Sequence, residues 1–453
     1  MKIIIVGCGK VGRNIAEELV KEKHNIVLID SDADLVEEVS NSIDVLGVVG
    51  NGVSMSVLKE AGIEDADILL AVTNADEINL LCCLFAKKIN KDCKTIARVR
   101  NPIYNEEINY IRDELGLTMT INPEMITARE MSRLIRWPNA LQVESFEKGR
   151  VELISFAVND NNKLVGKSVK DIMAASRVQV LFVGVERGEE AIIPHGDTVI
   201  EKGDKVCIAS TPEAVSAFLN DLGIYQSPIK SIMIAGGSKI AYYLSVILQK
   251  QKIKVSIIDK DKKRCEELAD LLPKATIING YASDDNLLVE EGLLDSDCFC
   301  SLTGVDEENV FLSMYAKSIN KDCKVITKVN HISYDGVLSN LDVGALVAPK
   351  KITAANIVSY VRGISNAKGN DVETMHRILN NKAEALSFRI IEKTRIIGVP
   401  FESLHIKDNL LIASIVRGND VIVPTGKTTM EVGDIVLVVT SNPGLSAIEG
   451  IIK

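Results

Sequence analysis

The sequence predicts an α/β fold with two tandem Rossmann-like parallel-sheet lobes, each followed by a small α+β lobe. Three observations lead to this prediction. The ten residues "FAKKINKDCK" at 85–94 return as "YAKSINKDCK" at 315–324, so the chain repeats itself. Short β-branched runs alternate with helical patterns early in each half, which is typical of βαβ units and a parallel sheet. Later in each half, glycine-containing turns divide short strands.

Composition limits the class of protein before any motif is considered. The 453 residues are 46% hydrophobic and 25% charged, the balance of a globular protein with substantial cores. A net charge of −10 disfavours a nucleic-acid partner, because phosphates bind basic surfaces. The apolar runs are strand-sized and far below the ~20 residues of a membrane-spanning helix, so we expect no direct membrane insertion. The start runs straight into a strand, and we expect a cytoplasmic location.

Cysteine and histidine spacing gives no sign of a metal centre. The nine cysteines are scattered without a CxxC pair, and the five histidines are dispersed. We therefore predict neither a disulfide framework nor a metal site.

The internal repeat extends over the whole chain and divides it into lobes. "IIIVGCGKVGRNIAEEL" aligns with "IMIAGGSKIAYYLSVIL", and "GVERGEEAIIPHGDTVIEKGD" aligns with "SIVRGNDVIVPTGKTTMEVGD". The predicted lobes are two Rossmann-like lobes at 1–135 and 229–362 and two small α+β lobes at 140–222 and 372–453. Pro138 and Pro228 mark boundaries of the first small lobe.

The elements of the first half follow from hydrophobic periodicity. Strands are predicted near residues 2–6, 26–29, 45–49, 67–72 and 95–99. Helices are predicted at "GRNIAEELVKE" and "DEINLLCCLFAKKI" between them. In the small lobe, "GK", "RGEE", "PHGD" and "KGD" separate short strands, and "SVKDIMA" is helical. We identify no chemistry in that lobe.

A glycine turn joins the first strand to the first helix, and it predicts nucleotide binding. Its six residues are Gly7, Cys8, Gly9, Lys10, Val11 and Gly12. Such turns bring backbone N–H groups and a helix N-terminus to a pyrophosphate. Asp30 ends the second strand, where a carboxylate binds the hydroxyls of an unphosphorylated ribose. The alternative is a turn that only packs a helix on a sheet, with Asp30 as a helix cap. ATP, ADP, NAD and NADH all carry the adenosine and phosphates that this pattern binds.

Three further residues lie at the predicted carboxyl edge of the first sheet. Thr73 and Asn74 follow the fourth strand, where open α/β sheets place ligands. For Asn74 the alternative role is to cap the next helix. Arg98 ends the fifth strand and is a candidate phosphate ligand.

The second half carries a changed version of the same site. The corresponding residues are Gly236, Gly237, Ser238, Lys239, Ile240, Asp259 and Thr303. Ser238 and Ala241 replace two glycines of the turn. We therefore expect either a weaker or differently selective site, or a lobe that serves only as scaffold.

The duplicated glycine turn, Asp30, "VTNADEINLL", "IARVRN" and the small "GD"-containing module together resemble the TrkA family. This resemblance covers essentially the whole chain, with each half similar to a regulator-of-potassium-conductance (RCK) unit. It implies a cytoplasmic subunit that is peripheral on the inner face of the cell membrane and binds NAD(H), ATP or ADP. It also implies a homo-oligomeric ring that gates a membrane potassium transporter of the Trk type. Asn51 departs from the family, which often places aspartate there.

The competing interpretation is an NAD-dependent oxidoreductase of unknown substrate. Such an enzyme needs a proton donor or acceptor beside the nicotinamide. His24 and His195 have no counterparts in the other half, and no group of residues suggests a catalytic site. We therefore predict a regulatory protein with no catalytic residues.

Overall fold

A computed structural model gives the architecture of the chain. It describes residues 1–453 apart from 102–103, 105–106, 109–111, 113, 138–139, 160–162, 223–228, 331–340, 366–371, 381, 392–393 and 443. The boundary prolines Pro138 and Pro228 lie outside the described residues. Among the helices of the described ranges, none is long and apolar enough to span a bilayer.

The first lobe is a six-stranded parallel sheet with helices on its faces, which confirms the predicted Rossmann-like fold. The strand order is β3-β2-β1-β4-β5-β6. The strands are β1 (Lys2–Val6), β2 (Asn25–Asp30), β3 (Leu46–Val49), β4 (Ile68–Ala71), β5 (Lys94–Arg98) and β6 (Met119–Ile121). The helices are α1 (Lys10–Lys21), α2 (Ala33–Ser42), α3 (Met55–Glu60), α4 (Asp76–Ile89) and α5 (Pro123–Arg136). The short β6 was not predicted from the sequence, because its three residues carry too little periodicity.

The first small lobe is an antiparallel sheet of order β10-β9-β11-β8-β7. Its strands are β7 (Gln142–Phe146), β8 (Val151–Ala157), β9 (Leu181–Arg187), β10 (Glu190–Ile192) and β11 (Lys205–Ser210). Its helices are α6 (Val169–Ala175) and α7 (Pro212–Asp221). An ion pair joins Arg187, at the end of β9, to the buried Asp204, which directly precedes β11. Nε and Nη2 of the arginine lie 2.9 and 2.8 Å from the two carboxylate oxygens. The "GD" motif is thus structural.

The second half repeats this architecture. The parallel sheet of order β14-β13-β12-β15-β16-β17 consists of β12 (Ser231–Ala235), β13 (Lys254–Asp259), β14 (Thr276–Asn279), β15 (Cys298–Ser301), β16 (Lys324–Lys328) and β17 (Ala345–Val347). Its helices are α8 (Lys239–Lys250), α9 (Lys262–Leu271), α10 (Asp285–Glu290), α11 (Asp306–Ile319) and α12 (Pro349–Ser365). The second small sheet contains β18 (Val372–Ile378), β19 (Ala383–Arg389), β20 (Leu410–Arg417), β21 (Asp420–Ile422) and β22 (Ile435–Thr440).

The two halves interlock through their last Rossmann helices. Helix α5 packs on α8 of the second half, and α12 packs on α1 of the first half. The α5–α8 pair runs parallel, since Asn122, which precedes α5, donates to Tyr243 while Ser132 accepts from Gln251 further along both helices. Apolar side chains fill both contacts. Each half therefore contributes a helix to the other.

The small lobes also pack face to face and share one hydrophobic core.

An ionisable cluster lies beside this contact. His376 of β18 has Nδ1 2.5 Å from Oε2 of Glu144 on β7. Arg133 of α5 donates a hydrogen bond to the Glu130 carboxylate, one turn back along the same helix. Burial raises the pKa of Glu130 to about 7. Burial lowers the pKa of His376, but the charges of Glu144 and Glu130 outweigh it, so that the pKa is raised overall.

The repeated decapeptide performs the same structural task in both halves. Asn90 and Asn320 each donate to three backbone carbonyls of the preceding 3-10 turn. The final lysines differ: Lys94 is exposed, whereas Lys324 is buried and its Nζ lies 2.9 Å from the carbonyl oxygen of Trp137 and 3.1 Å from that of Ala140. Burial lowers the pKa of Lys324 to about 8. A nearly identical sequence therefore makes a new contact where the halves meet.

Candidate functional site

The glycine turn between β1 and α1 is built so that the backbone approaches the sheet closely. Gly7 has φ of 110°, a conformation that favours glycine. A Cβ at Gly12 would lie 1.9 Å from the carbonyl oxygen of Gly7, so only glycine fits between helix and turn. A Cβ at Gly9 would meet nothing within 4 Å. Gly9 thus faces open space at the start of α1, where the helix N-terminus attracts anions.

Asp30 lies beside this turn at the end of β2. Its Oδ2 accepts from the backbone N–H of Cys8 at 2.6 Å, and its Oδ1 accepts from that of Asp32 at 3.1 Å. The cap of α2 is Asp32, which accepts from Asp34 and Leu35. Asp30 is therefore not the helix cap of the alternative interpretation. Burial, with the charge of Asp30, raises the pKa of the Cys8 thiol to about 12, so this thiol stays protonated at neutral pH.

Asn79 joins the ends of β4 and β5. Its Oδ1 accepts from the backbone N–H and from Oγ1 of Thr73, each at 2.8 Å. Its Nδ2 donates to the carbonyl oxygens of Thr73 at 3.2 Å and of Arg98 at 2.9 Å. Asn79 is fully buried, and it sets the position of two predicted site residues.

Arg98 supplies a buried cation at this edge. Only 6% of the residue is exposed, and its Nη2 donates to Oδ1 of Asn74 at 3.3 Å. Its Nε is buried and has no hydrogen-bond partner among the described residues. Burial, followed by the charge of Arg100, lowers the pKa of Arg98, and the charges of Glu124 and Asp76 offset this only in part. An anion would compensate both the desolvation and the repulsion. Asn74 does not cap α4, whose cap position is Ala75.

The structure brings the predicted first-half residues together at the carboxyl edge of the parallel sheet. Gly7, Asp30, Thr73 and Arg98 follow or end four adjacent strands, and Lys10 through Gly12 form the first turn of α1. Arg13, one residue further on, instead pairs with Glu17 and Glu38. Nucleotide binding by these residues stays a prediction.

The second-half turn keeps the same backbone conformation at its first glycine, but one of its own side chains caps the helix that follows. Gly236 has φ of 101°, and Asp259 accepts from the N–H of Gly237 at 2.6 Å. Ser238 caps α8 by accepting from the N–H of Ala241 at 3.3 Å. The serine side chain thus stands where Gly9 of the first half leaves open space.

The remaining second-half residues also repeat the first site with one change of cation. Thr303 donates its N–H to Asn309 at 2.9 Å, and Asn309 donates to the carbonyl of Lys328 at 3.0 Å. Lys328 occupies the position of Arg98 and is equally buried. Burial lowers its pKa. A lysine is a compact charge without the planar fork of arginine, so the two halves offer phosphate different partners.

Comparison with known proteins assigns the chain to a family. The TrkA-N domain model matches residues 3–123 and 232–349, and the TrkA-C domain model matches residues 153–223 and 386–453. The chain belongs to the TrkA family. A relative is the Trk system potassium uptake protein TrkA homolog 1 of Methanosarcina mazei, 32% identical over the whole of both chains. The TrkA homolog of Archaeoglobus fulgidus is 33% identical, again over both whole chains. Haemophilus influenzae TrkA is 30% identical over 98% of this chain and 96% of its own.

Solved structures support the TrkA-type fold. The GsuK channel bound to NAD superposes with a TM-score of 0.64 at 16% identity, covering 97% of this chain and 76% of the other. The crystal structure of the GsuK RCK domain gives a TM-score of 0.64 at 16% identity over 97% of this chain and 92% of the other. At this identity the likeness shows the fold. The predicted family resemblance and the fold class are thereby confirmed.

The sequence analysis did not predict that Asn79 and Asn309 hydrogen-bond the ends of two neighbouring strands together at the carboxyl edge of each parallel sheet. The available signal was their alignment between the two halves, together with threonine six residues before each. Within the ranges that the structure describes, no group of three histidine, cysteine, aspartate or glutamate side chains could hold a metal ion.

Proposed function

We propose that this chain is a cytoplasmic regulatory subunit that binds adenine nucleotides or NAD(H) and gates a membrane potassium uptake transporter. The observation that carries the proposal is the open glycine turn at an uncapped helix N-terminus, beside a fixed carboxylate at Asp30. Full-length relatives named as potassium uptake proteins support the transport role.

The first half is the stronger candidate for the nucleotide site. Gly9 leaves room for phosphates, and Asp30 suits an unphosphorylated ribose. Lys10 and Arg98 supply positive charge for phosphates, with Thr73 and Asn74 at the edge of the crevice. ATP, ADP and NAD(H) share the portion that this site would hold.

The second half is proposed as a weaker site of the same class. It would use Gly236 through Ile240, Asp259 and Thr303. Ser238 already satisfies one helix N–H, so a phosphate gains less there than at the first turn.

Regulation requires that a ligand have different affinities for two conformations. Helix α1 carries the open glycine turn at its first end and packs along α12 of the other half. A bound nucleotide can therefore bias how the halves meet without any chemical step.

A homo-oligomeric ring is supported by exposed apolar side chains on equivalent helices of the two halves. Ile78 and Leu81 of α4 are 38% and 43% exposed, and Phe311 and Met314 of α11 are 71% and 36% exposed. Leu81 and Phe311 occupy equivalent positions of the repeat, and exposed apolar groups at repeated positions favour self-assembly. In this proposal the ring binds the inner face of the membrane through a Trk-type transporter.

The absence of enzymatic activity is part of the proposal. His24 has Nδ1 3.4 Å from the N-terminal amino group, and burial, followed by that charge, lowers its pKa. It lies between α1 and β2, at the end of the sheet opposite the glycine turn. His195 is in an exposed turn of the small lobe. These positions do not favour hydride-transfer chemistry.

The test is an affinity pull-down of the tagged chain from detergent-solubilised native membranes with ATP, ADP, NADH or no nucleotide. We expect recovery of a multi-pass potassium transporter that changes with the nucleotide. The matched variants are Gly9→Asp, which fills open space with a charge that repels phosphate, and Ser238→Asp in the second half. Gly9→Asp should abolish the nucleotide dependence, whereas Ser238→Asp should largely keep it. Absence of a membrane partner in all conditions, with NADH oxidation by the purified chain, would favour the oxidoreductase.

A further inference from the structure

The first glycine turn has a neighbour from the other half. Helices α1 and α12 pack through Ile15 and Leu19 on one side and Ile357 and Val361 on the other, among other residues of the same core. At their far ends the two helices are joined by an ion pair, with Nε of Arg362 2.8 Å from a carboxylate oxygen of Glu22.

The register of this pair places two lysines together. Lys10 lies twelve residues before Glu22, and Lys350 lies twelve residues before Arg362. The duplicated α5–α8 pair runs parallel, so the N-termini of α1 and α12 lie at the same end of their contact. The first turn of α12, which contains Lys350, thus lies beside the first turn of α1.

The electrostatics agree with this placement. Lys350 is partly buried, and burial, followed by the charge of Lys10, lowers its pKa. The nearby carboxylate of Asp306 acts in the opposite direction, but it already accepts from the N–H and the side-chain amide of Asn330 at 2.8 and 2.9 Å. Two ammonium groups and two helix N-termini therefore converge at an open turn, and an anion relieves that repulsion.

Arg98 is a second observation at the same sheet edge, where the charges of Glu124 and Asp76 only partly offset its burial and the charge of Arg100. It is more than nine-tenths buried and its Nε has no hydrogen-bond partner among the described residues. The first glycine turn thus has three cationic side chains near it: Lys10 and Arg98 of the first half, and Lys350 of the second.

The second site has the opposite charge at the equivalent place. Glu124 aligns with Lys350 in the repeat "INPEMITA" and "VAPKKITA". It begins α5, the helix that packs on α8 beside the second glycine turn. The charge of Glu124 acts on Arg98 of its own half, and a carboxylate beside the second glycine turn repels phosphate. The two sites therefore differ in the residue that each receives from the other half.

We propose that Lys350 binds the terminal phosphate of a nucleoside triphosphate held on the first glycine turn. This inference rests on the proposed nucleotide binding and deepens it. The adenosine and inner phosphates contact only the first half, whereas the terminal phosphate joins α1 to α12. A diphosphate or a dinucleotide lacks that link, so the halves are drawn together by a triphosphate alone.

The experiment is isothermal titration of the full chain with ATP and ADP, in a Ser238→Asp background that silences the second site. Lys350→Gln should weaken ATP binding about 10- to 100-fold, the size of a charge-assisted hydrogen bond, and change ADP binding less than about twofold. Lys350→Arg should keep most of the preference for ATP. The matched control is Lys351→Gln, an adjacent and exposed lysine, which should alter neither ligand.

The outcomes separate the two proposals. If Lys350→Gln keeps the ATP to ADP affinity ratio of the parent, or weakens both ligands equally, the terminal-phosphate role is wrong while nucleotide binding stands. If the parent chain binds neither ATP nor ADP, the proposed function fails as well. A melting temperature of Lys350→Gln equal to that of the Lys351→Gln control establishes that lost affinity is not lost folding.

Discussion

Replacing Asn79 by alanine should damage both the stability of the first lobe and its affinity for nucleotides. The substitution removes four hydrogen bonds, three to Thr73 and one to the carbonyl of Arg98. At about 1 kcal/mol net for each bond, and with backbone groups left buried, the loss is about 3–4 kcal/mol. Calorimetry should therefore show the lobe unfolding about 10 °C lower. Below that temperature, ATP and ADP affinity should fall, because the ends of β4 and β5 are no longer held together.

The repeat supplies the control for this experiment. Asn309→Ala removes the equivalent bonds to Thr303 and Lys328 in the second sheet. It should destabilise that lobe by about 2–3 kcal/mol and leave affinity at the first site unchanged. An Asn79→Ala variant that melts within about 2 °C of the parent would refute the reasoning. So would one that binds nucleotide as tightly as the parent.

Three other predictions follow from contacts described above. Gly12→Ala places a Cβ against the carbonyl oxygen of Gly7, so it should lower stability by about 1–3 kcal/mol and abolish nucleotide binding. The opposite change at the equivalent position, Ala241→Gly, should lower stability by at most about 1 kcal/mol; thermal melting and ligand titration measure both variants. Folding raises the pKa of Glu130 to about 7 and also raises that of His376, so the stability that these two groups contribute is present at mildly acid pH and is lost as the pH rises through their folded-state pKa values. The melting temperature should fall over that range, and less steeply in Glu130→Gln. Lys324→Met should lower the melting temperature by leaving two backbone carbonyls without this donor, a loss of about 1–3 kcal/mol.

The predicted elements that the structure reproduces are those with long, regular periodicity. Strands β1, β2 and β4 are continuous apolar runs, because a parallel strand is buried on both faces. The helix at "DEINLLCCLFAKKI" begins and ends as α4 does. The three-residue β6 escaped prediction, since its place in the sheet depends on the neighbouring β5 rather than on its own pattern.

The candidate site shows the same division. Gly7, Gly12 and Asp30 are readable from spacing, because the backbone turn and the strand end demand them locally. By contrast, the four bonds of Asn79 join residues that lie six and nineteen positions away from it. Within one half, no pattern distinguishes that asparagine from an ordinary helix residue, and only the alignment of the two halves gives a signal.

By itself, the sequence determined the duplication, the order of the lobes, the glycine turns and the family. These properties are local or repetitive, so spacing within each half is sufficient to establish them. Only the tertiary structure decided that α12 lies along α1 and that Lys324 is buried although Lys94 is exposed. Those contacts join residues that are distant in sequence or differ between otherwise equal halves. Packing, which depends on both halves at once, determines them.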